Sequence, residues 1–259
     1  MGTSSQIRAQ DEIERLRQAL DAETQCCLEA QKRLDRANAE FEEFVSTAAH
    51  NLRESLRNVA SYSQLMAESY GGNLDSQAGE FLEHIREGTA RMQSLLAGVV
   101  DYWAAGIGEG EFTRTDMEAV LRQALLSLDK RITERGAIVT HDPMPEVAGD
   151  FAILTKVLQH LLRNALEYCD TTSPRVHISC TRADPDWVFS VRDNGPGIDP
   201  EFRERIFGAF KRLHGEEHPG NGLGLAFCKK AIEWHGGRMW MESTPGAGAT
   251  FYFSLPLSD

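Results

Sequence analysis

Apolar positions divide the chain into three stretches, and the first has the period of a coiled coil. Only Glu23 interrupts a heptad whose a and d positions are Ile13, Leu16, Leu20, Glu23, Cys27, Ala30, Leu34, Ala37, Phe41, Phe44 and Ala48. A sustained repeat of seven indicates a coiled coil, because a globular helix has an apolar period nearer 3.6. The pattern predicts a parallel dimeric stem over residues 1–40.

The second stretch has the pattern of a helical hairpin. The helix continues without Pro or Gly to about Tyr70, and a second amphipathic helix is expected from about Ser76 to Ala105. The glycines of "YGGNLD" are expected to end the first helix and Asp75 to cap the second. One hairpin has too little core to fold alone, so we expect two copies to form a four-helix bundle in a homodimer, with a domain over residues 41–106.

Beyond a glycine-rich linker, helical and strand patterns alternate over residues 112–259. Helices are predicted at "TDMEAVLRQALLSLDKRITERG", "DFAILTKVLQHLLRNALEYC" and "GLGLAFCKKAIEWHGG", and strands at "AIVTHD", "PRVHISCTRAD", "DWVFSVRDNG" and a final hairpin, "GRMWMESTPGAGATFYFSLP". This alternation predicts a two-layer α/β sandwich with mostly antiparallel strands. The fold class expected for the whole chain is α+β.

Charge and composition narrow the classes of partner. The chain has 27 basic and 39 acidic residues, a net charge of −12, which disfavours nucleic acid or an anionic membrane as the main partner. We find no run of 18 apolar residues and no leader, so we expect a cytoplasmic protein without a membrane span. The five cysteines form no CxxC pair, which disfavours a zinc site or a disulfide framework.

Two glycine clusters and one asparagine are candidates for ligand binding. In "DNGPGI", the Asp193 carboxylate is able to accept a hydrogen bond from an exocyclic amine, and the glycines permit close approach of a flat ligand. "GNGLGL" places glycines at a helix N-terminus, where free amides bind phosphate oxygens. Asn164, in "LLRNALEY", offers a neutral oxygen ligand for Mg²⁺. Each of these features alone also occurs in ordinary turns and on solvated helices.

His50 lies among Asn51, Arg53 and Glu54 on the flank of an amphipathic helix, so we expect it to be exposed. A lone helical histidine is more often a surface residue than a catalyst. The rest of the chain decides between these two interpretations.

Taken in order, these motifs resemble the H, N, G1, F and G2 boxes of bacterial sensor histidine kinases. They are His50 in "HNLRESL", Asn164 in "HLLRNALEY", Asp193 in "DNGPGI", Phe207 and Phe210 in "IFGAFKRL", and the glycines of "GNGLGL". The resemblance covers about Phe41 to Pro256 and is greatest to the kinase module of phytochrome-type sensors. It implies a phosphoacceptor hairpin and the ATP-binding fold shared with gyrase, Hsp90 and MutL.

The resemblance also implies roles for individual residues. His50 Nε2 is the implied nucleophile, with Asn51 beside it as a second catalytic residue, and the phosphoryl group passes to an aspartate of a response regulator. Asn164 is the implied Mg²⁺ ligand, and residues 211–220 the implied lid. The residues implied in ATP binding are Asn164, Tyr168, Asp193, Gly195, Gly197, Ile198, Phe207, Phe210, Gly220, Gly222, Leu223, Gly224 and Leu225.

Four positions depart from the pattern of the family. Asn51 stands where most relatives have Asp or Glu, Ser55 replaces Pro, His160 replaces a common Asn, and Glu167 replaces a common Lys. Three alternatives therefore stay open: a dimeric scaffold that binds ATP but transfers phosphate poorly, an ATPase of the same superfamily, and a coiled-coil interaction protein.

Overall fold

The computed structural model describes residues 2–70, 75–106, 112–169, 173–211 and 221–257, which fall into two compact units, Met1–Glu54 and Ser55–Asp259. Helix α1 extends over Gly2–Tyr70 and crosses the predicted domain boundary at residue 40 without a break. Helix α2 extends over Ser76–Ala104. No described helix combines the length and the apolar character that crossing a membrane requires.

The structure confirms the predicted cap of α2. The Asp75 carboxylate accepts a hydrogen bond of 2.8 Å from the amide of Ala78. An Asp at this position satisfies one of the amides that a helix N-terminus leaves without an acceptor. The predicted glycine stop at Gly71 and Gly72, and most of the predicted linker, lie outside the described residues.

A five-stranded mixed sheet forms one layer of the C-terminal part. The strands of the chain are β1 Thr113–Asp116, β2 Ile138–His141, β3 Glu146–Gly149, β4 Arg175–Ala183, β5 Asp186–Asp193, β6 Met239–Ser243 and β7 Ala249–Pro256. The sheet order is β2-β4-β5-β7-β6, and only the β2–β4 pair is parallel. Strands β1 and β3 form a separate antiparallel pair that the apolar pattern did not predict.

Three helices form the second layer, as predicted. They are α3 Met117–Arg135, α4 Phe151–Glu167 and α5 Gly224–Trp234. Gly136 ends α3 with a φ of +57°, the left-handed conformation that a glycine adopts without strain. Leucines and Val157 on the inner face of α4 belong to the same apolar core as Phe189 and Phe253, whose stacked rings are 4.7 Å apart. This part of the chain is therefore a two-layer α/β sandwich.

A buried histidine joins the end of α5 to the start of α4. His235 Nε2 accepts a 3.0 Å hydrogen bond from the amide of Asp150, and its Nδ1 is 2.7 Å from the carbonyl oxygen of Ala231. Because the amide must donate and the carbonyl must accept, the ring is neutral with its proton on Nδ1. Desolvation lowers the pKa of His235, although the Ala231 carbonyl and the charge of Asp150 oppose the shift.

We predict that this ring makes the free energy of unfolding depend on pH. A histidine whose pKa is lowered by folding binds its proton first in the unfolded chain, so stability falls as the pH drops below the unfolded value of about 6.5. Urea unfolding of His235→Gln between pH 8 and pH 5 should give a shallower decline than the wild type. His84→Gln, at an exposed position on α2, is the control. Parallel curves for wild type and His235→Gln would contradict the prediction.

Candidate functional site

An open cleft lies over one side of the sandwich. Its walls come from the C-terminal half of α4, the end of β5 with the loop that follows, the start of α5, and β7. The lining residues are Arg163, Asn164, Ala165, Glu167, Tyr168, Asp193, Pro196, Gly197, Ile198, Ile206, Lys211, Asn221, Gly222, Gly224, Leu225, Ala249 and Phe251. Motifs that are far apart in sequence thus meet around one cavity.

Helix α4 supplies the wall that contains Asn164. Its side-chain amide has no hydrogen-bond partner among the described residues, and its backbone carbonyl accepts a 3.0 Å bond from the amide of Tyr168. A neutral amide oxygen without a partner is a suitable ligand for a hard cation such as Mg²⁺. Within the described ranges, no cluster of three His, Cys, Asp or Glu residues suits a metal ion.

The Asp193 carboxylate is fixed in the opposite wall. Its Oδ1 accepts hydrogen bonds from the amides of Gly195, at 2.8 Å, and Ala249, at 3.1 Å. Its Oδ2 has no such donor in the part of the chain that the structure describes. Burial raises the pKa of Asp193, and the two amide bonds oppose this shift. The second oxygen is thus a positioned acceptor of the kind that an exocyclic amine of a purine requires.

Glycines let the loop after β5 pack directly on the turn between β6 and β7. Gly197 has a φ of +74°, and a Cβ there would lie 2.3 Å from the carbonyl oxygen of Thr244. The amide of Gly246 donates a 2.6 Å hydrogen bond to the carbonyl of Pro196. No larger residue than glycine fits at position 197 unless the turn moves, so this contact fixes the edge of the cleft.

The start of α5 forms the third wall. Gly222 has a φ of +69°, and a Cβ there would be 2.9 Å from the carbonyl carbon of Phe210, which itself has a φ of +60°. The amides of Leu225 and Ala226 have no acceptor among the described residues. Free amides at a helix N-terminus attract anions, and the helix dipole adds to this attraction.

The predicted site residues fall into four groups. Asn164, Tyr168, Asp193, Gly197, Ile198, Gly222, Gly224 and Leu225 line the cleft. Gly195 supports Asp193 from behind, while Phe207, Phe210 and the buried Leu223 do not line the cavity. Gly220 and the predicted lid, except Lys211, lie outside the described residues. His50 and Asn51 are exposed on α1, in the unit Met1–Glu54.

Three polar residues that the motifs did not identify also line the cleft: Arg163, Lys211 and Asn221. Each is adjacent in sequence to a motif residue. A signal was available, because Arg163 and Lys211 are cations directly beside motif residues, Asn164 and Phe210, in a strongly acidic chain.

Comparison with known families identifies the domain that contains this cleft. Residues 149–259 match the model of the histidine kinase-, DNA gyrase B- and HSP90-like ATPases. This match covers α4, the sheet from β4 onward and α5.

Residues 149–259 belong to this ATPase family.

Relatives and a solved structure extend the similarity to the helical part. Cyanobacterial phytochrome A of Nostoc sp. is 45% identical over 86% of this chain, and the methanogenesis regulatory histidine kinase FilI of Methanothrix harundinacea is 30% identical over 85%. The chain spans only 29% and 25% of these relatives. The crystal structure of full-length ShkA in complex with AMPPNP superposes with a TM-score of 0.65 and 27% identity, over 83% of this chain and 46% of that one.

Helix α2 contacts the ATPase domain at the start of α5. The Asn221 side chain donates a 2.9 Å hydrogen bond to the carbonyl of Ser94 and accepts one of 3.1 Å from the amide of Leu223. A Cβ on Gly98 would be only 2.2 Å from Asn221 Nδ2. The Asn221 side chain thus connects the α2 backbone to the glycine loop of the ATPase domain by hydrogen bonds. Gly98 provides the space for this side chain.

Two glycines of α2 give a matched test of this contact. Gly→Ala inside an exposed helix stabilises it by about 1 kcal/mol, and at Gly88 the nearest atom to a new Cβ is 3.9 Å away. At Gly98 the same substitution must displace Asn221. We expect Gly98→Ala, but not Gly88→Ala, to speed hydrogen exchange at the amide of Leu223, which donates to Asn221 Oδ1. Equal exchange in the two variants would contradict the contact.

Proposed function

We propose that this chain is an ATP-dependent protein histidine kinase that autophosphorylates His50 and donates the phosphoryl group to an aspartate of a response regulator. The observation that carries the proposal is the cleft, in which the three nucleotide-type motifs of an ATPase-family domain meet. The similarity to the histidine kinase FilI supports the transfer to histidine.

The polar groups of the cleft suit the parts of ATP. Asp193 Oδ2 accepts a hydrogen bond from the exocyclic amine of adenine. The backbone amides at the start of α5 donate hydrogen bonds to the phosphate oxygens. Asn164 would hold Mg²⁺, which when bound neutralises charge on the phosphates.

The transfer step needs His50 as an accessible nucleophile. Its Nε2 lone pair attacks the γ-phosphorus, the bond to the bridging oxygen of ADP breaks, and positive charge grows on the ring. The Asn51 amide oxygen accepts the Nδ1 proton in a hydrogen bond and so keeps the Nε2 lone pair free. Exposure of His50 on α1 agrees with this role.

A second copy of the chain is the proposed partner of the helical part. Large apolar side chains on α1 and α2 are exposed in the single chain, among them Val59, Leu65, Phe81, Ile85, Met92 and Leu95. Burial of these side chains between two chains would remove apolar surface from water and stabilise the assembly. A four-helix bundle of two hairpins covers such faces, with the coiled-coil stem over residues 1–40 continuing the dimer contact.

The first test is direct phosphorylation. Wild type incubated with γ-labelled ATP and Mg²⁺ should give a phosphoprotein that is labile in acid and stable in base, and His50→Gln should give none. His84→Gln, at another exposed helical histidine, is the control and should label like the wild type. Absence of label on the wild type after prolonged incubation would refute the kinase and favour the ATP-binding scaffold.

The second test concerns Asn51, the feature that favours the scaffold alternative. Asn is unable to take a proton or to offer a full charge to the ring, whereas general-base help contributes about 10² to 10⁴ in rate. Asn51→Asp should therefore raise the autophosphorylation rate by about 10-fold or more. ATP affinity should not change, which a Kd measured in parallel checks. An unchanged rate would mean that nucleotide positioning, and not the base beside His50, limits the reaction.

A further inference from the structure

The cleft has no lysine on α4 at the position where the resemblance leads one to expect it. That position is Glu167, and a carboxylate there would repel the phosphates. The structure instead pairs Glu167 with Arg131 of α3, and the glutamate side chain is only 14% exposed. Glu167 still lines the cleft, but its charge is compensated by Arg131. A cation for this wall therefore has to come from another residue.

Arg163 lies one helical turn before Glu167 and lines the same cleft. Among the described residues no carboxylate is within ion-pair distance of its guanidinium, although residues four apart on a helix are neighbours and Glu167 is the acid in that position. Arg163 is thus a cation of the cleft whose charge no described acid neutralises. Such a group favours an anionic ligand.

His160 fixes the guanidinium. Arg163 Nη2 is 2.7 Å from His160 Nδ1, and because arginine only donates, the histidine accepts through Nδ1. The His160 ring packs on Phe227 with centroids 5.1 Å apart. Burial, together with the neighbouring charge of Arg163, lowers the pKa of His160 to about 4, so the ring stays neutral and keeps its accepting lone pair at physiological pH.

The pair also lies against the phosphate-type end of the cleft. A Cβ on Gly224, the first residue of α5, would be 3.0 Å from His160 Nδ1 and 3.7 Å from Arg163 Nη2. The amides at this helix terminus and the guanidinium therefore face the same region. A side chain at position 224 would press on the His160 ring, so glycine there allows the helix terminus and the pair to lie in contact.

We propose that Arg163, positioned by His160, binds the phosphate chain of ATP in this protein and replaces the lysine that Glu167 displaces. His160 is a positioning residue, and Arg131 protects the site by neutralising Glu167. This inference rests on the proposed ATP binding and names the cation responsible for phosphate affinity. The two departures at positions 160 and 167 are then parts of one rearranged site.

The test compares the affinity of the full chain for ATP with its affinity for adenosine, both measured by calorimetry with Mg²⁺ present. Hydrogen bonds to charged groups contribute enough that Arg163→Gln should weaken ATP binding by about 10- to 100-fold. Adenosine has no phosphates, so its Kd should not move. Arg122→Gln, at an exposed position on α3, removes the same charge away from the cleft and is the matched control.

Two further variants separate the positioning role from a general structural one. His160→Leu alone should weaken ATP binding. In the Arg163→Gln background it should cause little further loss of ATP affinity, because the effects of two residues that act through one another are not additive. His160→Asn, which keeps an acceptor, should retain most of the affinity that Leu loses. In the Arg163→Gln background, Glu167→Lys should recover affinity for ATP.

The outcomes distinguish this inference from the proposed function. A wild type that binds neither ATP nor adenosine would overturn both. A wild type that binds ATP, with Arg163→Gln no weaker than Arg122→Gln, would overturn the role of Arg163 and leave the nucleotide site intact. An equal loss of ATP and adenosine affinity in Arg163→Gln would show damage to the cleft and would also overturn it, since the adenosine measurement reports on the fold of the site.

Discussion

The orientation of helix α4 about its own axis is the constraint on which both the core and the cleft depend. Six of its side chains are 1% exposed or less: Leu154, Val157, Leu158, Leu161, Leu162 and Leu166. Their spacing follows the helical period of 3.6 residues, so their burial determines which positions face the cavity. Asn164 and Tyr168, four residues apart, then lie on the cleft side. A rotation of the helix that exposed the first set would also withdraw the second.

Electrostatics in the cleft depend on local pairing and not on the net charge. The chain has a net charge of −12, yet Arg163 and Lys211 line the cavity, and the Glu167 carboxylate is paired with Arg131. Interactions between exposed charges are largely screened beyond about 10 Å at ordinary salt, so the distant acidic surface has little effect inside a concave site. An acidic protein is therefore able to keep a cleft that is locally cationic.

The sequence was sufficient to predict the helices and strands that have a strong apolar period. It was also sufficient to find the motifs whose glycines the structure requires. Helices α2 to α5, the strands of the large sheet and the Asp75 cap are where the pattern predicts them. The β1–β3 pair was missed because each strand has four residues and β1, "TRTD", has no apolar alternation. The pairing of Arg131 with Glu167 joins residues 36 positions apart, and no local pattern encodes such a contact.

The same limit applies to Asn221, which lies inside a predicted motif yet has a role that only the fold reveals. Its Oδ1 accepts a hydrogen bond from the amide of Leu223 at the start of α5. Its Nδ2 donates one to the carbonyl of Ser94 on α2, 127 residues earlier. Lys156 of α4 also pairs with Asp101 of α2, at 2.6 Å. Movement of α2 away from the ATPase domain removes one bond of Asn221 and leaves the other. The order of the glycine loop and the position of α2 are thus linked through a single side chain, which is too short to keep both partners once they separate.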